Sequence, residues 1–506
     1  MYKEILIDSS LEETRVAVIE NGKLVELYME ERDVEYHAGD IYKAVVEDVL
    51  PGLQSAFLDV GHGRKGFLHG ADVISTGMEE IEELLNENVG SPGGTKDYYG
   101  SPIQDTLREG QEVIVQILKE PIGEKGAKLT TAISIPGRYL VLMPYADKVN
   151  VSNRIKDRLE RERLRDLING IRPHGIGFII RTAAKGVEPE YVYGDMEELV
   201  GVWRRINEQA GRKRAPCLLY KDRRLLHRTI RDIFTEDVDI LIVDDLGDYE
   251  ETVKSAEKFS PGLSQRVRLY EDDEPLFEAF GVESEINSMF RRKVWLRSGG
   301  YIVIDETEAL VAIDVNTGRF LGRKDLEETI LKTNLEAAAE IARQVRLRNV
   351  GGIIIIDFID MAIPENRHQV IDAFKGYLEN DRARVNILEL SELGLVEMTR
   401  QRMRESLLSH ISRECPSCKG RGSVLTIDAL IQKIESEVRR GFRNLGGELI
   451  LTVHPDIKDF LDENYAGRLN QIEHENEGNI FIQSDDGFAL DGVEVSPAGR
   501  VRKTVP

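Results

Sequence analysis

Apolar and polar positions alternate through residues 3–30, "KEILIDSSLEETRVAVIENGKLVELYME", around the dipeptide Asn21-Gly22. A period of two marks half-buried strands and Asn-Gly favours a two-residue turn, so this stretch reads as a β-hairpin. Five further short strand patterns lie between about 36 and 133: "GDIYKAVVEDV", "QSAFLDVG", "RKGFLHG", "QEVIVQILKE" and "KLTTAISI". Strands at this spacing predict a small barrel. The pattern breaks at "MEEIEELLNENVGSPGGTKDYYGSP", whose Gly, Ser, Pro and acid content predicts a mobile loop.

From about 137 to 225 the pattern is mixed, with strand-like "RYLVLMP" and "GIGFIIRTA" on either side of a basic helix. "DVDILIVDD" predicts a buried strand, with helical stretches after it. "GGYIVIDETEALVAIDVNTG" reads as two strands joined by a short turn. "DLEETILKTNLEAAAEIARQVRLRN" has the 3.6-residue period of an amphipathic helix and is stopped by Gly351 and Gly352. "IIIIDFIDM" predicts a short buried strand, and the last 80 or so residues predict a smaller α/β segment.

Composition narrows the class. The chain of 506 residues is 41% hydrophobic and 31% charged, which suits several globular domains with sizeable cores. No charge-free apolar run is long enough to span a bilayer, and the start lacks the features of an export signal. Three cysteines make no disulfide framework, so a reducing, cytoplasmic setting is expected, with C-x-x-C as metal or redox chemistry. The net charge of −23 argues against nucleic acid until its distribution is considered. Between Arg138 and Arg231 there are 21 Lys and Arg against 12 Asp and Glu. Such runs are often solvated helix faces. In so acidic a protein this tract is also a candidate phosphate-binding surface.

Three constellations carry candidate chemistry. "ALVAIDVNTG" and "GGIIIIDFIDM" place Asp314, and Asp357 with Asp360, after apolar strand runs, and period two puts Asn316 on the face of Asp314. Two carboxylates at strand ends with an amide between them suit Mg²⁺, which takes one or two carboxylates and keeps waters for a phosphate. An aspartate there also makes an ordinary Asx-turn. Phe57 and Phe67 lie on adjacent strands near Arg64, Lys65 and His69, as stacking on single-stranded nucleic acid requires, or as a barrel core requires. In "GFIIRTAAKG", Arg181 and Thr182 end an apolar strand where a guanidinium and a hydroxyl could bind a terminal phosphate. Cys415 and Cys418 of "RECPSCKGRG" have zinc-knuckle spacing but supply two of the four ligands that tetrahedral zinc needs. Cys217 reads as an inert core residue.

Taken in order, the barrel, "IIRTA", "AIDVNTG", "IIIIDFIDM", "DRARV", "GLVEMTRQR" and "CPSCKGRG" closely resemble the ribonuclease E/G family of bacterial endoribonucleases, from about residue 3 to 500. The resemblance implies a multidomain α/β fold. Residues 1–36 and 227–289 form an RNase H-like subdomain kept as a scaffold. Residues 37–132 form an inserted S1 barrel of OB type, itself interrupted near 76–102. A 5′-sensor region at 133–226 follows the barrel. A DNase I-like catalytic domain at 290–412, a zinc-link at 413–424 and a small α/β domain at 425–506 complete the chain.

The resemblance also assigns roles. Asp314 and Asp357 match the Mg²⁺-binding catalytic aspartates and Asn316 their companion amide. Water attacks in line with the leaving 3′-oxygen, giving 5′-phosphate and 3′-hydroxyl ends. Gly137, Val141, Arg181, Thr182 and Arg384 match the pocket for a 5′-monophosphate, and Phe57, Phe67 and Lys125 match RNA-gripping positions. Cys415 and Cys418 match half of a zinc site completed by a second chain, giving a dimer or a tetramer, with Gly420 and Gly422 allowing the tight turn. Ribonuclease E members carry a long disordered C-terminal scaffold. This chain stops at Pro506, so it is expected to be more similar to the ribonuclease G type, without a degradosome assembly region. The expected tasks are rRNA and tRNA maturation and mRNA decay on single-stranded RNA. The rival readings are a non-catalytic S1-type RNA-binding protein and a DNA nuclease.

Overall fold

The computed structural model describes residues 2–9, 13–31, 37–61, 63–73, 102–121, 126–222, 224–259, 261–318, 326–379, 381–391, 394–402 and 406–498. Most of the interruption expected near 76–102, and Lys125, lie outside the described residues. Two compact units are present, residues 1–406 and 407–506.

In the first unit, the strands Lys3–Ser9, Glu13–Glu20 and Lys23–Glu31 form an antiparallel meander whose last turn is the Asn21-Gly22 pair. Two later strands, Ile240–Val243 and Val267–Leu269, extend it in parallel beyond Lys3–Ser9, giving a five-stranded sheet. The strands Ile41–Leu50, Ser55–Asp59, Lys65–His69, Lys128–Thr130 and Glu112–Lys119 pair in that order, and the last returns to the first. The result is a closed, OB-like barrel around Tyr42, Val46, Leu58, Leu68, Val115 and Leu129. The expected helix appears at Arg158–Asn169, and the strands around it, Leu140–Met143 and Gly177–Ile180, pair antiparallel.

A six-stranded sheet holds the aspartate motifs. Its order is Lys293–Trp295, Tyr301–Glu306, Leu310–Asn316, Gly352–Asp357, Leu395–Arg400 and Val385–Ile387. Leu310–Asn316 and Gly352–Asp357 run parallel because the helix Leu326–Leu347 crosses over between them. That helix and Pro364–Leu378 cover one face, burying Ile302, Ile313, Ile354, Ile356 and Met398. Each buried side chain of this size contributes about 1.5–3 kcal/mol.

The opposite face corrects the expectation of a buried strand at "IIIIDFIDM". Ile353 is 50% exposed and Asp357 is exposed, while Ile354 and Ile356 are fully buried. Among the described residues helices pack on only one side here, so half of the apolar run faces outward.

The second unit contains a three-stranded sheet, Asn479–Ser484, Glu448–Val453 and Val493–Pro497, packed on the helix Ile427–Leu445.

Candidate active site

Asp314 and Asp357 are direct register partners on the two central parallel strands, ending a ladder that runs from Leu310 opposite Ile353. Neighbouring strands lie ~4.8 Å apart, and both aspartates are exposed on the uncovered face. Partial desolvation by its neighbours pushes the Asp357 carboxyl above its usual range, and the charges of Asp314 and Asp360 push it further. A divalent cation held by the pair would relieve this repulsion. The chain stays extended through Asn316, whose Nδ2 donates to Asp314 Oδ2 at 2.7 Å. Asn316 stands opposite Tyr301, so the amide flanks the acid pair one row along instead of lying between the carboxylates. Asp314 is also within its strand and not past the strand's end.

Among the described residues no three His, Cys, Asp or Glu side chains converge as a metal cage. Two carboxylates with an amide are nonetheless a donor set suited to Mg²⁺, which keeps several of its waters.

A buried amide holds the loop beyond Asp357. Asn334, fully buried on the crossover helix, donates from Nδ2 to Ile359 O at 2.8 Å and accepts from Ile359 N at 3.1 Å. Glu327 accepts from Ala362 N and Ile363 N at 3.3 and 3.1 Å. Sequence reasoning missed Asn334. Its signal was present, a polar residue on the helix stripe that carries Ala337, Ala338 and Ile341.

Four of the phosphate-pocket candidates, Gly137, Val141, Arg181 and Thr182, gather at the end of the Gly177–Ile180 strand. Arg181 Nη1 donates to Gly137 O at 2.6 Å and pairs with Asp232 Oδ1 at 2.7 Å. Thr182 is exposed, its hydroxyl 3.1 Å from that of Ser152. Val141 pairs with Pro136 and Ile179, beside Gly137. Arg384 lies two residues from Arg382, whose guanidinium reaches Asp232 O at 3.3 Å. Burial would raise the Asp232 carboxyl, but Arg231 and Arg181 outweigh it and hold it at about 2. Gly137 is required by close approach, since a Cβ there would lie 2.5 Å from Asp195 Oδ1. Asp195 in turn accepts from the backbone N–H groups of Arg138, Tyr139 and Leu140 at 3.1, 2.7 and 2.9 Å. Neither Asp232 nor Asp195 had a sequence signal, because Asp232 is remote in the chain from Arg181 and Asp195 from the 138–140 backbone it holds.

Phe57 and Phe67 are register partners on the barrel, with ring centroids 5.8 Å apart at 61°. Both are half-exposed and outside the barrel core, which removes the reading of them as core rings. Lys65 pairs with Asp48 and Glu47, and His69 accepts from Ala71 N, so both have local duties.

In the second unit, Cys415 is exposed and Cys418 half-buried on one turn. The backbone N–H groups of Cys418 and Ser417 pull the Cys415 thiol below its usual range, favouring the thiolate that zinc binds. The turn closes with Lys419 N donating to Cys415 O, and Gly420 takes φ +77°, which glycine allows without strain. Cys217 packs, partly buried, against a hydrophobic core.

Comparison with known proteins bears on this arrangement. Residues 134–403 match the sequence profile of the "Ribonuclease E/G family". The chain is 41% identical to Ribonuclease G of Escherichia coli over 474 residues, 94% of this chain and 95% of that protein. It is 39% identical to Ribonuclease G of Haemophilus influenzae over 472 residues, 93% of this chain and 94% of that one. With Ribonuclease E of Nostoc sp. it shares 39% identity over 396 residues, 78% of this chain and 55% of that protein. The chain therefore belongs to the ribonuclease E/G family and within it is more similar to the ribonuclease G proteins.

Proposed function

We propose that this endoribonuclease hydrolyses single-stranded RNA with Mg²⁺ at Asp314 and Asp357, leaving 5′-phosphate and 3′-hydroxyl ends. The observation that carries the reading is the side-by-side register of the two aspartates on an uncovered sheet face. The two carboxylates stand on neighbouring strands of one exposed face, and Asn316 orients Asp314. When bound there, Mg²⁺ supplies the positive charge that acidifies water and offsets charge building on the phosphate. The supports in the chain are fixed beforehand, as positioning catalysis requires.

In this reading Phe57 and Phe67 stack on bases, with Lys125 as their cationic companion. Gly137, Val141, Arg181, Thr182 and Arg384 receive a 5′-monophosphate. The barrel at 37–132 is the S1 domain, 133–226 the 5′-sensor, 1–36 with 227–289 the RNase H-like scaffold, and 290–412 the DNase I-like catalytic domain. Cys415 and Cys418 of the 413–424 link share one zinc with the same pair of a second chain, making a dimer, and 425–506 follows as the small domain. A reducing cytoplasm keeps these thiols free. Processing of rRNA and tRNA and decay of mRNA are the corresponding tasks.

The test compares wild type, Asp314→Asn and Asp357→Asn on a short single-stranded RNA, with Mg²⁺ and after chelation. Cleavage that falls at least ~10³-fold with either substitution, with RNA affinity within a few-fold, is expected. Cyclic phosphate ends, or cleavage that survives both substitutions, would overturn the reading. RNA binding without cleavage by any form would favour the non-catalytic alternative.

A further inference from the structure

Two rows of side chains cross the open sheet face. In the ladder Lys293 stands opposite Val303, Val303 opposite Asp314, and Asp314 opposite Asp357. The next row reads Trp295, Tyr301 and Asn316. With strands ~4.8 Å apart, Lys293 and Trp295 lie two spacings, ~10 Å, from Asp314 and Asn316. The Trp295 and Tyr301 rings meet edge to face with centroids 5.4 Å apart. The Lys293 ammonium sits 3.4 Å from the Tyr301 centroid and 4.1 Å from that of Trp295. Its neighbour Arg292 is paired with Asp305, whereas no carboxylate among the described residues pairs with Lys293.

The exposure of Trp295 is hard to reconcile with a purely structural duty. Of the two tryptophans, Trp203 is 7% exposed and packed in a core, while Trp295 is 63% exposed. An indole left in water forgoes the burial that usually stabilises a large aromatic ring.

We propose that Trp295, Tyr301 and Lys293 form a binding subsite for single-stranded RNA beside the cleaved bond, in which a base stacks on Trp295 and Lys293 faces an adjoining phosphate. The proposal rests on the reading of Asp314 and Asp357 as the catalytic pair. RNA is favoured over a second protein copy by three features: an indole exposed to solvent, a cation with no carboxylate partner among the described residues, and continuity with the acid row on one exposed sheet face. Base stacking on aromatic rings tolerates any base, and a cation held between two rings stiffens the platform. The subsite would therefore set affinity and the placing of the strand without reading its sequence.

The test uses the full chain and one short single-stranded RNA. In the Asp314→Asn background, saturating RNA should quench the accessible tryptophan fluorescence, and Trp295→Phe should remove that quench. In the active protein Trp295→Ala should raise KM about tenfold, the size of one lost base stack, with Trp295→Phe restoring most of the affinity. Lys293→Gln should reduce the salt dependence of binding by about 0.7 in the log–log slope, one phosphate's share. An RNA with one abasic position at the subsite should bind wild type more weakly and lose nothing further with Trp295→Ala.

An unquenched Trp295 under saturating RNA, or an unchanged KM in Trp295→Ala, overturns the proposal. A smaller assembly for Trp295→Ala by light scattering assigns the face to a second copy and overturns it too. Cleavage undiminished by Asp314→Asn removes the carboxylate reading and with it the placement beside the cleaved bond. The quench needs no cleavage, so it tells that failure from an absent subsite.

Discussion

Asp381 and Arg400 form a buried, two-pronged ion pair, with Nε to Oδ2 at 2.7 Å and Nη2 to Oδ1 at 3.1 Å. Their side chains are 1% and 5% exposed. The pair joins "DRARV" to "GLVEMTRQR", and Arg400 Nη1 also donates to Val350 O at 2.8 Å, just before the Asp357 strand. Three segments around the sheet edge thus share one guanidinium. Arg400→Met should cost about 3–5 kcal/mol by leaving Asp381 buried and unpaired, and adding Asp381→Leu should recover much of that loss. Urea denaturation of the single and double variants measures both.

Asn334 acts on Asp357 only through the loop it clasps. Asn334→Ala removes both hydrogen bonds to Ile359 and should cost about 2 kcal/mol of stability. Looser carboxylates should also lower kcat about tenfold or more while KM changes little. Steady-state kinetics beside a denaturation curve separate the two effects.

Arg181 spends one nitrogen, Nη1, on both Gly137 O and Asp232 Oδ1, and a lysine would have to spend its only nitrogen on them. Arg181→Lys should therefore bring the rate ratio of 5′-monophosphate to 5′-hydroxyl RNA to about one, with the 5′-hydroxyl rate retained. A wild-type ratio surviving in Arg181→Lys would remove Arg181 from the pocket.

Asp244 gives a pH signature in stability. Burial, with the charges of Asp8 and Asp245, raises its carboxyl to about 6 although it accepts from Ser9 N at 2.9 Å. A carboxyl whose folded pKa exceeds its unfolded value binds its proton more tightly when folded. It therefore costs stability above pH 6, and the cost fades as pH falls from about 6 toward 4. Asp244→Asn keeps the acceptor and should raise Tm at pH 8 but not at pH 4, an effect of about 1 kcal/mol given its partial exposure.

The cysteine turn makes a prediction about stoichiometry. Elemental analysis of the purified protein should find one zinc for every two chains, and chelation or Cys418→Ser should give monomers by light scattering. Cys217→Ser should leave zinc content and assembly unchanged.

The sequence by itself determined the local elements and the family motifs. Alternation marked the hairpin at Asn21-Gly22 and all five barrel strands, and the helical period marked Leu326–Leu347, because a repeating half-buried pattern is a local property of the chain. What only the tertiary structure decided depends on which distant segments meet. "IIIID" reads alike whether one face or two are covered, so the exposure of Ile353, and with it the open surface bearing Asp314, Asp357 and Trp295, came from where the helices pack. The same reason placed Phe57 and Phe67 outside the barrel core, Asp232 against Arg181 and Asn334 beneath Ile359. Contacts at long sequence separation follow from packing geometry, and no local pattern carries them.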